Sequence, residues 1–145
     1  PEWANRGGQH ESYLSIQLHA FRSGERQNAV MQGIAAGLSD DDIADLAKWF
    51  SEQPVHIAAN GDAALVEEGR NRAGYCHACH GMQGYPVADE WPILAGQNAP
   101  YLANQLMNFK TGVRHHPLMQ NVVRNLSQSS MDALGAYYSQ VVRED

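Results

Sequence analysis

The sequence predicts an all-α protein organised as a tandem repeat, and three features lead there. Apolar residues recur three and four apart, as on one face of a helix. Val, Ile and Thr never alternate with polar residues for long enough to make a strand. The chain also matches itself when shifted by 88 residues. That shift lays Glu2-Trp3 on Glu90-Trp91, Gly8-Gln9 on Gly96-Gln97 and Tyr13-Leu14 on Tyr101-Leu102. It continues without a gap through Gln17-Leu18 and Gln105-Leu106, Phe21 and Phe109, Gly24 and Gly112, Arg26 and Arg114, Met31-Gln32 and Met119-Gln120, and Leu38-Ser39 and Leu126-Ser127. Two amphipathic helices of similar composition could coincide at apolar positions. They would not also coincide at Gly, Arg and Met in the loop between them.

Each repeat therefore reads as two helices around a loop. In the first, Ser39 followed by Asp42 makes a capping-box-like start to the second helix, where acidic side chains favour the N-terminal end. Residues 54–61, with Pro54 and then Asn60-Gly61, read as the linker. A short helix at Ala63 to Arg72 follows, and the Pro- and Gly-punctuated stretch from Gly81 to Gly96 is expected to be irregular. In the second repeat Leu102, Leu106 and Phe109 share one apolar face before Gly112 offers a C-terminal stop. The last helix is expected to open at Ser127.

Sixteen acidic against ten basic side chains give a net charge of −6, which argues against nucleic acid as a partner. No apolar run approaches the roughly 20 residues that cross a bilayer. No charged-then-apolar leader opens the sequence, which reads as a processed or trimmed chain.

The chemistry sits at Cys76-His77-Ala78-Cys79-His80. Thiols two residues apart on one helical turn can both add to the vinyl groups of one haem, and the adjacent histidine is then held beneath the iron. A thioredoxin-like dithiol or half of a zinc site would also use C-x-x-C. A zinc site calls for a further ligand pair, and the chain has two cysteines in all. The second axial ligand is expected to be Met119, preceded by Pro117, which would stiffen the approach. His115 and His116 compete, but the repeat pairs them with Gln27 and Asn28, whereas Met119 pairs with Met31. Met82, Met107 and Met131 read as packing residues. His/Met ligation closes the iron and raises its potential, as suits one-electron transfer.

Around the iron, His80 needs its other ring nitrogen oriented, and Pro92 is the expected carbonyl partner. Trp91 to Gln97 would form one wall of the pocket. Arg114 reads either as the partner of a haem propionate or as an ordinary solvated charge. Tyr101, Leu102, Leu106, Phe109, Leu134, Tyr137 and Tyr138 would supply apolar cover.

The order Cys-x-x-Cys-His-Gly, Pro92-x-Leu94-Ala95-Gly96-Gln97, Tyr101-Leu102, Gln105-Leu106, Phe109, Gly112-x-Arg114, Met119 and Ser127 resembles the dihaem cytochromes c4, over essentially the whole chain. The resemblance implies two class I cytochrome c domains related by a pseudo-twofold axis and a bacterial periplasmic home. It implies electron delivery to a terminal oxidase or other redox partner, the partners being redox proteins such as a terminal oxidase or a cytochrome reductase. Cys76, Cys79, His80 and Met119 match the family's haem-binding positions, and Met31 matches the distal ligand of its first domain. One departure stands out: projecting Cys76 back by 88 residues falls before Pro1. Residues 1–53 are thus expected to be a partial first domain without CxxCH, with 62–145 a complete one. The expectation is that the natural protein continues upstream with a second CxxCH; the alternative is a monohaem protein whose first repeat has decayed into a helical cap. The functional expectation is a periplasmic electron carrier on haem c rather than an enzyme. The alternative is an electron-accepting subunit or domain of a haem enzyme, a peroxidase or a sulfur-compound oxidoreductase.

Overall fold

The computed structural model describes residues 3–55, 57 and 61–142. Eight helices lie among them: α1 (Glu11–Ser23), α2 (Ala29–Ala35), α3 (Asp40–Ser51), α4 (Ala63–Arg72), α5 (Gly74–His80), α6 (Ala99–Thr111), α7 (Pro117–Val123) and α8 (Gln128–Gln140). The described residues contain no strand. No helix among them is long and apolar enough to cross a membrane.

The repeat holds in three dimensions residue for residue. Helices α1, α2 and α3 start 88 residues before α6, α7 and α8. Gly24 and Gly112 end α1 and α6 in the left-handed conformation, with φ of 81° and 79°, where a side chain would be strained. Core positions correspond too: Ile43 and Met131 are fully buried, as are Ala35 and Val123. Met131 is thus the packing residue expected of it. The pairing of Glu2 with Glu90 lies outside the described residues, as do the linker residues 56 and 58–60.

Capping follows the sequence. The Ser39 hydroxyl accepts from the Asp42 N–H at 3.1 Å, and the Asp42 carboxylate accepts from the Ser39 N–H at 2.9 Å. Ser127 accepts from the Ser130 N–H in the same way. The loop of each repeat, however, contains a helix that periodicity did not announce. Met119 stands in the first turn of α7, because Pro117 begins that helix with its φ already set and His116 caps it. Seven residues carry too few apolar positions to show a period.

Helix α8 is the centre of the second repeat and packs on both α4 and α6. Glycines make those crossings close. A Cβ at Gly69 would lie 2.0 Å from the Ala133 carbonyl oxygen, and one at Gly135 would lie 2.6 Å from that of Ala99. In the first repeat α1 packs on α2 and α3.

The repeats meet through a two-fold set of polar contacts. The Gln9 amide donates to the Ile93 carbonyl at 3.0 Å and accepts from the Ile93 N–H at 2.8 Å. Gln97 does the same to Asn5, at 2.8 and 2.6 Å. Arg26 donates to Gln17, Tyr101 and Gln105; Arg114 donates to Gln105, Tyr13 and Gln17. Each guanidinium also lies over the phenylalanine of its own repeat, Phe21 at 4.6 Å and Phe109 at 4.5 Å. The described part of the linker passes between the two glycine turns. Val55 methyls would lie 2.5 Å from a Cβ at Gly8 and 2.6 Å from one at Gly96.

Candidate functional site

Helix α5 carries the motif. Its first turn is laid down by Cys76 N–H donating to the Ala73 carbonyl at 2.8 Å. It ends at Gly81, whose φ of 76° lets the chain turn back so that Tyr85 lies where a Cβ would sit. Cys76 is half-buried against Ala73, Leu102, Leu134 and Tyr138, while Cys79 is exposed; neither is in a disulfide. Burial pushes the Cys76 thiol up, opposed by the Tyr138 hydroxyl beside it and reinforced by Cys79. A thioredoxin-like dithiol needs the opposite, a thiol held low. Among the described residues no group of three His, Cys, Asp or Glu is placed to hold a metal ion, as a zinc site would require.

His80 is buried, and its Nδ1 lies 3.1 Å from the Pro92 carbonyl. A carbonyl has no proton to give, so Nδ1–H donates and the Nε2 lone pair is left for a metal. Burial disfavours protonation of the ring and outweighs the Pro92 bond, which works the other way, and the nearby His116 adds a smaller push in the same direction as burial. The ring is therefore held neutral. His116 caps α7, its Nδ1 accepting from the Met119 N–H at 3.5 Å, and its ring meets Phe109 edge-on. Asn28 does the same for Met31 at 2.9 Å. The structure thus gives His116 a cap's position at the start of α7, where Met119 is half-buried.

The pocket wall is divided. Pro92 turns its carbonyl to His80, whereas Ile93 and Gln97 bond to the first repeat and Trp91 is exposed at 36%. Arg114 is bonded at the repeat boundary rather than loose in solvent.

A cytochrome c4 from Pseudomonas aeruginosa is 33% identical over 151 residues, covering 94% of this chain and 75% of that protein. The chain belongs to the cytochrome c4 family. The crystal structure of reduced cytochrome c4 from Pseudomonas stutzeri matches with a TM-score of 0.90 at 31% identity, over 98% of this chain and 86% of that one. A thiosulfate dehydrogenase electron acceptor from Stutzerimonas stutzeri is 34% identical, over 92% of this chain and 68% of that protein. No protein-family model matches. As a cytochrome c4 the chain has the class I cytochrome c fold, carries electrons rather than catalysing a reaction, and uses haem c.

The residues present fit haem c. Two unpaired thiols a turn apart, a neutral imidazole with one nitrogen tied and one free, and a thioether on a capped turn form a donor set suited to covalent attachment and two axial bonds. Several polar residues of this cytochrome c4 chain were not singled out from sequence: Gln9, Gln17, Arg26 and Gln97 at the boundary, and the hydroxyl of Tyr138. The signal was there for all but the last. Gln, Arg and Tyr matched across the repeat although packing alone does not demand polar side chains.

Proposed function

We propose that haem c is attached to this chain through Cys76 and Cys79, with His80 and Met119 as axial ligands. The observation that carries this is the His80 Nδ1–Pro92 contact at 3.1 Å, which aims one ring nitrogen away and leaves the other for iron. The bound haem supplies a one-electron couple. The protein's part is to hold His80 neutral and oriented, to present the Met119 thioether from the first turn of α7, and to leave no axial position open to oxygen or peroxide. Trp91 and Pro92 border the site. Arg114 is assigned to a haem carboxylate, because among the described residues its hydrogen bonds run to the uncharged oxygens of Gln105, Tyr13 and Gln17, which leave its charge to be neutralised. Met31, presented by α2 as Met119 is by α7, is assigned to a second haem.

The setting is a bacterial periplasm, and the partners are redox proteins such as a terminal oxidase or a cytochrome reductase. A second reading, an electron-accepting subunit of a sulfur-compound oxidoreductase, is favoured by the relative named thiosulfate dehydrogenase electron acceptor.

Optical spectra of the purified natural protein, with a haemochrome assay and intact mass, test these assignments. The ferric protein is expected to be low-spin with a weak far-red methionine band, and Met119→Ala is expected to abolish that band. A high-spin spectrum, or an unchanged band in Met119→Ala, would overturn the ligand assignment. A single haem per natural chain would overturn the assignment of Met31.

A further inference from the structure

The two repeats agree so closely that a polar atom present in only one of them is conspicuous. Phe50 in α3 and Tyr138 in α8 are such a pair. Their carbonyls accept equivalent bonds, from the Gly8 N–H at 3.0 Å and the Gly96 N–H at 2.9 Å, so the backbones correspond and the side chains differ by one oxygen. Phe50 is half-buried beneath the Arg6 guanidinium at 5.1 Å. Tyr138 is 2% exposed, and its hydroxyl has no hydrogen-bond partner in the protein. A hydroxyl buried without a partner is destabilising, because it has given up its hydrogen bonds to water without replacing them.

The surroundings show what could complete it. The ring sits in an apolar cluster with Ala73, Leu102 and Leu134, against which Cys76 packs. A Cβ at Gly84 would lie 2.9 Å from the ring edge, so the loop after the motif closes that side. The Cys76 sulfur is the polar group beside the hydroxyl, short of a full hydrogen bond, and burial keeps the phenol protonated well beyond its usual range. A sulfur that has formed a thioether has no proton and acts only as a weak acceptor. The tyrosine then has to be the donor.

We propose that Tyr138 is a positioning residue whose hydroxyl donates to the Cys76 sulfur of the attached haem and raises the reduction potential of that site. The donor proton is the positive end of the O–H dipole, and in a water-poor pocket it favours the form carrying the extra electron. Phe50 leaves the equivalent position of the first repeat without this donor. The proposal rests on haem attachment at Cys76.

The test compares Tyr138→Phe with Tyr75→Phe in the full-length haem-loaded protein. Tyr75 lies on the motif helix and is 88% exposed, so it removes a phenol without touching the pocket. Tyr138→Phe is expected to lower the midpoint potential, to shift the C–S stretching band in the resonance Raman spectrum, and to leave haem content and thermal stability intact. Phe50 shows that a phenyl ring fits this backbone. Tyr75→Phe is expected to change neither reading. An unchanged potential and C–S band in Tyr138→Phe, or equal shifts in both variants, would overturn the role of Tyr138 alone. An unchanged amount of covalently attached haem in the variant carrying both Cys76→Ala and Cys79→Ala would instead overturn the attachment reading beneath it.

Discussion

Gln9 and Gln97 each satisfy two backbone groups of the other repeat with a single amide, and each also accepts from the next residue's N–H at 3.0 Å. Both side chains are buried at 7% exposure, so water cannot substitute for them. Gln9→Ala would leave the Ile93 N–H and carbonyl unpaired in the interface, an expected loss of about 1–3 kcal/mol. Urea titration of the holoprotein would measure it, and the same loss is expected for Gln97→Ala because the contacts repeat. His116 acts at the same scale. His116→Asn should hold Met119 as Asn28 holds Met31, while His116→Ala is expected to lose about 1 kcal/mol of cap. The pH at which the far-red methionine band fades would report whether that cap holds the thioether in place.

The helices divide into those set by caps and those set by crossings. At the start of α3, Arg22 holds the Asp40 carboxyl below the usual carboxylate range, and the Ser39 hydroxyl and N–H do so for Asp42. Carboxyls lowered in the folded state contribute stability that is fully present above the ordinary carboxylate range. It is lost as pH falls through their own lowered range. Ser39→Ala should therefore reduce melting temperature at neutral pH and narrow the gap between neutral and acid values, as calorimetry across that range would show. Helix α4 instead depends on Gly69, where any Cβ would enter the Ala133 carbonyl of α8. Gly69→Ala is expected to cost about 3 kcal/mol through overpacking, read from the chemical denaturation midpoint.

At the scale of the whole molecule the two arginines form one unit. Arg26 and Arg114 share Gln17 and Gln105 as acceptors, and each reaches across to the other repeat's tyrosine. Losses from Arg26→Ala and Arg114→Ala should not add. A double-mutant cycle is expected to return a coupling of about 0.5–3 kcal/mol, and a coupling of zero would mean the two halves of the network stand independently. The network also explains how an acidic chain keeps two guanidiniums at its centre. Uncharged oxygens accept three hydrogen bonds from each, and a bound anion could still neutralise their charge.

Much of this was legible in the spacing of residues. Helical period is set within one or two turns, so α4, α6 and the capping box at Ser39 could be read directly, and the self-match at 88 residues announced the repeat. CxxCH is similarly local, since two thiols and an imidazole on adjacent turns are defined by three positions. Helix α7 was missed because seven residues are too short for a period. What tertiary structure alone decided is which surfaces meet. The clamp of Gln97 on Asn5 joins residues 92 apart. The rotation of one repeat against the other that brings them together depends on the shapes of two packed units. No spacing along the chain encodes that rotation, and for the same reason no motif revealed that the Tyr138 hydroxyl would be shut in beside Cys76.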